Sequence, residues 1–316
     1  MIIVELMGGL GNQMFQYAAA KSLATKYQVP LKLDTKYLLD RTNPRPDFVF
    51  RNYDLDIWNI DADFATQEEI LEITGEITKY TKKPLGFLEK IYWRIKHTAT
   101  DYKSQFYREP HFEFDENFYH KKTPLYLQGY WQSEKYFADI IDIIRKDFSF
   151  KEPLSKNCVA IQKQIQGCEN LENLESVCIN VRRGDFVNIP KTNQHSGFVG
   201  LEYLYKGAEY IAQQITKNGK IPNFFVFSDE IDWCEKHITL DYPTTFIAHE
   251  YAGTKFRDYL KLMTSCKHFI IPNSSFGWWA AWLAKNPTKI VITPKQWFAD
   301  KSMNSKDLIP QSWLKM

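Results

Sequence analysis

The sequence predicts an α/β protein built on parallel β-sheets that helices cover on both faces. From about residue 175 onward, short and almost continuously apolar segments alternate with segments of helical spacing. Such alternation is typical of strands buried in a parallel sheet. The first 34 residues show the same order, with a glycine turn between the first strand and the first helix. Hydrophobic residues make up 44% of the chain and charged residues 25%, which supports a large buried core.

The first predicted elements lie at the amino terminus. Ile2 to Val4 is an apolar, β-branched run, a turn follows over 8–11, and residues 12–28 have near-helical spacing. A second strand is expected over 30–34. Because a helix separates the two strands, we expect them to be parallel.

The middle of the chain predicts two helices. Thr66 and Glu69 form a capping-box pattern, and Ser133 is a candidate N-cap. The first helix is expected to carry Ile70, Ile73, Ile77 and Tyr80 on one face. The second is expected to carry Tyr136, Phe137, Ile140, Ile141 and Ile144.

The last part of the chain predicts a regular alternation of strands and helices. Strands are expected over 177–182, 224–228, 244–248, 269–272 and 289–293. Helices are expected over 202–217, 255–266 and 276–285.

The length of 316 residues suggests two domains. We expect an N-terminal α/β domain over 1–170 and a C-terminal Rossmann-like domain over 171–316. The boundary is inferred from a strand-poor stretch rich in Gln and Asn between about 150 and 175.

Charge and cysteine content exclude several classes of protein. The chain has 40 Lys and Arg against 38 Asp and Glu, so we expect no nucleic-acid partner of the polybasic kind. Its five cysteines show no CxxC spacing, which indicates neither a disulfide framework nor a zinc site. We expect a cytoplasmic protein, and peripheral contact with the inner membrane stays open.

Polar residues cluster where predicted strands end, and ligands of parallel sheets bind at such carboxyl ends. In the first cluster Gly9, Gly11, Asn12 and Gln13 are interpreted as phosphate or sugar contacts, because a glycine turn before a helix binds anions. One alternative is a dinucleotide fingerprint with Asp34 on the ribose, although its third glycine would fall at Met14. Another is a tight turn without a ligand.

The second cluster is Arg182, Arg183 and Asp185 after the strand at 177. Adjacent side chains point to opposite sides of a strand, so one guanidinium can bind a diphosphate while the other pairs with a carboxylate. The alternative is an ordinary surface ion pair.

The third cluster is Asn273, Ser274 and Ser275, followed by Phe276 and Trp278. These residues begin a predicted helix, whose N-terminus offers a second anion site. The alternative is a simple helix cap in front of core tryptophans.

Two acidic triplets are candidates for a metal site. Residues 54–56 and 61–63 both have the D-x-D form that binds divalent cations beside a nucleotide diphosphate, but such triplets are common in acidic loops. We expect no metal ion and no cofactor.

Four ordered segments, 8–18, 181–186, 227–233 and 262–283, resemble those of the α-1,2-fucosyltransferase family. The resemblance implies an inverting, metal-independent enzyme that uses GDP-β-L-fucose. It also implies a GT-B-like fold, with two Rossmann-like domains and the nucleotide in a cleft between them. The C-terminal domain would then bind the nucleotide sugar, and the N-terminal domain would lie on the acceptor side.

The resemblance also implies roles for individual residues. Arg182 would bind the leaving β-phosphate with support from Arg183, and Asp185 would be the candidate general base. The sequence departs from the family pattern at Asn180, where many members have His, and at Phe186, where many have Tyr. The predicted catalytic residues are Arg182 and Asp185. The predicted substrate-binding residues are Gly9, Gly11, Asn12, Gln13, Asn180, Arg183, Ser228, Asp229, Asn273, Ser274, Ser275, Phe276 and Trp278. Among them, Ser228 and Asp229, together with Trp233, are expected at the guanosine end.

The predicted function is therefore a galactoside 2-α-L-fucosyltransferase that serves surface-glycan or oligosaccharide biosynthesis. Its partners would be the nucleotide-sugar donor and a galactoside acceptor. Two alternatives stay open: a non-catalytic sugar-binding protein of the same fold, and an NAD-dependent oxidoreductase.

Overall fold

A computed structural model describes residues 1–42, 49–75, 105–167, 173–184, 187, 199–300 and 303–316. The chain divides into two compact units. One comprises Met1–Pro44 with Phe50–Phe148, and the other comprises Ser149–Met316 with Arg45–Val49. The predicted boundary at residues 170 and 171 lies outside the described residues and stays a prediction.

The first unit is a five-stranded sheet of order β3-β2-β1-β5-β4, in which all strand pairs are parallel. Its strands are β1 (Ile2–Glu5), β2 (Leu31–Asp34), β3 (Asp63–Phe64), β4 (Phe106–Arg108) and β5 (Leu125–Gln128). Its α-helices are α1 (Leu10–Tyr27), α2 (Lys36–Leu39), α3 (Gln67–Thr74) and α4 (Ile141–Asp147). Short 3₁₀ helices cover Leu55–Ile57, Glu116–His120 and Glu134–Ile140. The predicted parallel pairing of the first two strands is confirmed.

The second unit is a six-stranded parallel sheet of order β11-β10-β9-β6-β7-β8. Its strands are β6 (Leu174–Val181), β7 (Ile221–Ser228), β8 (Thr244–Phe246), β9 (His268–Ile270), β10 (Val291–Thr293) and β11 (Leu314–Lys315). Its α-helices are α5 (Val159–Gln166), α6 (Leu201–Lys217), α7 (Ile231–His237), α8 (Arg257–Thr264) and α9 (Ser275–Leu283). The predicted class, two α/β units with parallel sheets, is confirmed.

The core of the second unit forms where α6 packs on the sheet. Val177 and Ile179 of β6 and Phe224 of β7 are fully buried against the apolar face of α6, which includes Leu204 and Ile211. Because β6 lies between β7 and β9, the loops after these three strands emerge side by side at one edge of the sheet.

Two predicted helices differ from the expectation in part. The Thr66 capping box is confirmed, but α3 ends at Thr74 because Gly75 adopts a left-handed conformation that caps the helix. Ile77 and Tyr80 lie outside the described residues. Ser133 does act as an N-cap, but a 3₁₀ helix with a non-helical Phe137 follows it before α4 begins.

Within the described residues, no helix combines the length and the apolar character needed to cross a membrane.

Candidate functional site

The candidate site lies at the carboxyl edge of the second sheet, where the loops after β6, β7 and β9 meet. Arg182 follows β6, Asp229 follows β7, and Asn273 to Ser275 follow β9. The predicted clusters at 182, 228 and 273 therefore belong to adjacent strands of one sheet.

Asp229 joins the first two of these loops. Its Oδ2 lies 2.8 Å from Nη1 of Arg182, and its Oδ1 accepts a hydrogen bond of 2.9 Å from the backbone N–H of Arg183. Charge-assisted hydrogen bonds of this length are strong and directional. Both oxygens of Asp229 therefore contact the arginine loop, and its place at the guanosine end stays a prediction.

Arg183 is fixed by side chains of the loop after β7 and of α7. Its Nε donates to Oε2 of Glu230 at 2.9 Å, and its guanidinium carbon lies 3.5 Å from the ring centroid of Trp233. An arginine that is both paired and stacked on an indole ring is held in one position. The side chains of the two arginines thus pair with different carboxylates, Arg182 with Asp229 and Arg183 with Glu230.

Gly184 allows the arginine loop to approach Asp229 closely. A Cβ atom at position 184 would overlap Oδ2 of Asp229. The glycine is therefore required by the contact between the two loops.

Asn180 lies near the end of β6 and faces the start of α9. Its Nδ2 donates to the carbonyl oxygen of Phe227 at 3.3 Å. A Cβ atom at Gly277 would lie 2.7 Å from Oδ1 of Asn180, so β6 and α9 approach each other closely here. Asn180 thus lies beside the same helix N-terminus as Ser275.

The start of α9 has the geometry of a βα turn. Ser274 is the N-cap residue, its carbonyl accepts from the N–H of Trp278 at 3.0 Å, and its side chain makes no capping hydrogen bond. Asn273 is buried, and its Nδ2 donates to the carbonyl of Trp297 at 3.0 Å. The positive end of the α9 dipole therefore lies at the same sheet edge as Arg182.

Trp278 is placed in the core. The side chain is fully buried, and its indole N–H donates to the carbonyl of Leu308 at 2.9 Å. For Trp278, the structure therefore agrees with the alternative given above, in which the tryptophans after the helix cap belong to the core. Phe276, by contrast, is half-buried and remains at the edge.

Asp185, the predicted general base, lies outside the described residues, as does Phe186. The backbone N–H of Val187 donates to the carbonyl of Arg183 at 2.7 Å. The role of Asp185 stays a prediction.

A small cavity near the end of β6 adds residues that the sequence did not indicate. It is lined by Asn180, Arg182, Trp233 and by Gly200 and Tyr203 at the start of α6. The pattern of apolar and polar residues in α6 does not predict that Gly200 and Tyr203 line a cavity, because the cavity depends on how the helix packs over β6.

In the first unit, the glycine turn is built around Gln13. This side chain is fully buried, and its Nε2 donates to the carbonyls of Gly8 and Asn52 at 2.9 and 2.8 Å. Its Oε1 accepts from the N–H of Asp54 at 2.9 Å. The structure thus gives Gln13 a scaffold role in joining the turn to the loop at 52–54.

The other turn residues differ in burial and in their contacts. Gly8 has φ +75°, and Gly9 is the N-cap of α1 without a side-chain cap. Asn12 accepts from Nε2 of Gln132 at 2.8 Å, and Gly11 is buried in the first turn of α1. The expectation that this turn faces Arg182 joins residues of different units and stays a prediction.

A row of polar side chains at the carboxyl edge of the first sheet was missed by sequence reasoning. Gln128 donates to Oε2 of Glu5 at 2.9 Å and accepts from Nε of Arg108 at 2.7 Å, while Tyr126 donates to Asp34 at 2.7 Å. Burial raises the pKa of Glu5 to about 7, with a further rise from the nearby Asp34 and an opposing contribution from the Gln128 hydrogen bond. The available signal was a charged or polar residue at the end of four short strands, namely Glu5, Asp34, Arg108 and Gln128.

Among the described residues, no group of three or more His, Cys, Asp or Glu side chains is arranged to hold a metal ion.

Comparison with known proteins places these features in a family. The family model described as Glycosyl transferase family 11 matches residues 1–316. An α-1,2-colitosyltransferase of Escherichia coli is 28% identical over 100% of this chain and 98% of its own length. The O-antigen biosynthesis glycosyltransferase WbnK of Escherichia coli is 30% identical over 98% of this chain and 99% of its own length. A galactoside α-(1,2)-fucosyltransferase 1 of Rattus norvegicus is 29% identical over 55% of this chain and 46% of its own length.

Proposed function

The chain belongs to glycosyltransferase family 11, and on that premise we propose that it transfers L-fucose from GDP-β-L-fucose to the 2-hydroxyl of a terminal β-galactoside. The transfer inverts the configuration at C1. The names of the relatives support α-1,2 linkage and a galactoside acceptor, and the sequence resemblance supports the GDP-fucose donor.

The observation that carries this proposal is the fixed position of Arg182. The Arg182 side chain is 27% exposed, its guanidinium is held by Asp229, and it lies at the same sheet edge as the N-terminus of α9. A diphosphate at this edge would meet a cation on one side and a helix dipole on the other.

The chemistry requires positive charge at this place. As the bond between fucose C1 and the β-phosphate oxygen breaks, negative charge grows on GDP and the sugar gains oxocarbenium character. Arg182 and the backbone donors of α9 stabilise that charge most strongly in the transition state, because they are already oriented. In this proposal no metal ion is needed.

The acceptor oxygen attacks C1 from the face opposite the diphosphate. The new bond joins C1 to O2 of the galactoside, GDP leaves with the electron pair of the broken bond, and the hydroxyl proton goes to a base. We propose Asp185 for that base, with water as the alternative proton acceptor. Cytoplasmic location and peripheral contact with the inner membrane remain part of the proposal.

A second candidate is transfer of colitose instead of fucose. It is favoured by the relative of that name, which matches the chain over its full length. Colitose is a 3-deoxy form of L-fucose, so it can bind wherever the 3-hydroxyl of fucose is not required.

The test is a transfer assay with purified protein. GDP-fucose is mixed with lactose, with and without EDTA, and free GDP and fucosylated lactose are measured. We expect equal amounts of both products, unaffected by EDTA, and a higher rate with GDP-fucose than with GDP-colitose. GDP binding without transfer, across a panel of β1,3- and β1,4-linked galactosides, would contradict the proposal and favour a binding protein.

A further inference from the structure

The segment before α8 holds a bulky residue in an unfavourable conformation. Lys255 has φ 57° and ψ 29°, and Phe256 has φ 58° and ψ 24°. Left-handed backbone is rare for residues other than glycine and costs free energy, most of all for large side chains. Strain of this kind persists where the surrounding structure imposes it, and it is concentrated at functional sites.

Burial of the Phe256 side chain does not offset this strain. The side chain is 44% exposed. The rings of His249, Tyr259 and Phe276 surround it at centroid distances of 6.4, 6.0 and 6.5 Å and at interplanar angles of 86, 56 and 78°. None of these three rings lies parallel to Phe256, and nearly half of its side chain stays exposed to solvent.

These contacts place Phe256 at the candidate site. His249 Nε2 lies 2.9 Å from the carbonyl oxygen of Ser228, at the end of β7. Phe276 is the second residue of α9 and directly follows Ser275. Through His249 and Phe276, the ring therefore lies close to the ends of β7 and β9, at the sheet edge that carries Arg182.

The planar base of the donor needs a surface to stack on, and two residues predicted at the guanosine end, Asp229 and Trp233, already contact other side chains. Both oxygens of Asp229 contact the arginine loop. Arg182 and the start of α9 suit a diphosphate. An exposed aromatic ring beside such a phosphate site suits a planar base, because every base has a π face that stacks on a ring.

We propose that Phe256 is the platform on which the purine base of the nucleotide-sugar donor stacks, and that the left-handed backbone serves to present the ring. This inference rests on the proposed function for the use of a guanosine donor. A base is favoured over an acceptor sugar, since the ring's three neighbours are themselves aromatic, whereas a sugar also requires several hydrogen-bonding groups for its hydroxyls.

The experiment compares Phe256→Asn with Phe256→Tyr by calorimetric titration of GDP and of pyrophosphate. Asparagine accepts left-handed backbone more readily than phenylalanine, so we expect F256N to fold. Tyrosine keeps the ring and is the matched control. Phe256→Leu, which keeps an apolar side chain without a ring, serves as a second variant if F256N does not fold.

We expect F256N to raise the Kd for GDP at least about tenfold, as for loss of one base–aromatic stack. F256Y should stay within about twofold of wild type, and the Kd for pyrophosphate should stay within about twofold in both variants. Unchanged GDP affinity in F256N would overturn the inference while leaving the proposed function intact. An equal loss for pyrophosphate would overturn it as well, because the ring would then act through the phosphate site. A wild-type protein that binds no GDP would overturn both proposals.

Discussion

Asp229 holds Arg182 at 2.8 Å, although 47 positions separate the two residues in the chain. The same carboxylate accepts from the backbone of Arg183. One acidic side chain thus sets the position of the cation on which the proposed reaction depends, and also the path of the loop that carries it.

The Asp229→Asn substitution tests this arrangement. The amide keeps the size of the side chain but loses the charge that orients Arg182, so we expect kcat to fall about tenfold to a hundredfold. The KM for the acceptor should change little. Steady-state kinetics measure both, with the exposed Asp241→Asn as the control. A normal kcat in D229N would show that Arg182 needs no such support.

The Gly184→Ala substitution tests the close approach of the two loops. The added methyl would overlap Oδ2 of Asp229 and push the carboxylate away from Arg182, so turnover should fall at least about tenfold. The exposed Lys217→Ala, in the last turn of α6, is the control. Equal turnover in the two variants would contradict the packing described here.

The Gln13→Ala substitution separates a scaffold role from a ligand role. It removes three hydrogen bonds from a fully buried amide and leaves backbone groups of Gly8, Asn52 and Asp54 without that partner. We expect the free energy of unfolding to fall by about 1–3 kcal/mol, measured by urea denaturation. The exposed Gln164→Ala should change it by less than about 0.5 kcal/mol. A Q13A protein of unchanged stability would contradict the scaffold role of Gln13 and favour its predicted role as a ligand contact.

The raised pKa of the buried Glu5 side chain predicts that the stability of the protein depends on pH. The side chain is 4% exposed, and its pKa rises from 4.5 to about 7 chiefly through burial. Between these values the folded protein keeps a proton that the unfolded chain releases, so this residue makes the free energy of unfolding fall as pH rises from about 4.5 to 7.

The Glu5→Gln substitution removes this effect. We expect it to raise the free energy of unfolding at pH 8 by about 1–3 kcal/mol and to change it little at pH 4. Denaturation at the two pH values measures the difference, and the exposed Glu116→Gln is the control. If E5Q lowered the free energy of unfolding at both pH values, the folded protein would favour the charged form of Glu5.

Much of the second sheet could be predicted because its strands are buried on both faces. Phe224 to Ser228 and His268 to Ile271 are nearly continuous apolar runs, and no competing helical period is present. In the first sheet, β4 and β5 are short and carry charged or polar neighbours. β5 pairs with β1, which lies more than a hundred residues away, and β4 pairs with β5, so local sequence does not specify either strand.

The sequence could locate the candidate site at the ends of strands, but it could not predict the contacts of individual side chains. Strand order brings the clusters after β6, β7 and β9 together, which sequence reasoning anticipated. The partner of each side chain depends on loop packing, so the sequence could not predict that Asp229 pairs with Arg182, that Gln13 joins its turn to the loop at 52–54, or that Trp278 is fully buried. Phe256 gave no signal, because a left-handed conformation at a phenylalanine is imposed by tertiary structure.

The most direct test of the account is the turnover of Arg182→Ala with GDP-fucose and lactose, measured as fucosylated product beside the exposed Lys206→Ala control. The account predicts a loss of at least about a hundredfold in R182A, with K206A close to wild type, because a preoriented charge at the leaving diphosphate would be missing. Near-normal turnover in R182A would contradict the central claim that this arginine stabilises the departing GDP.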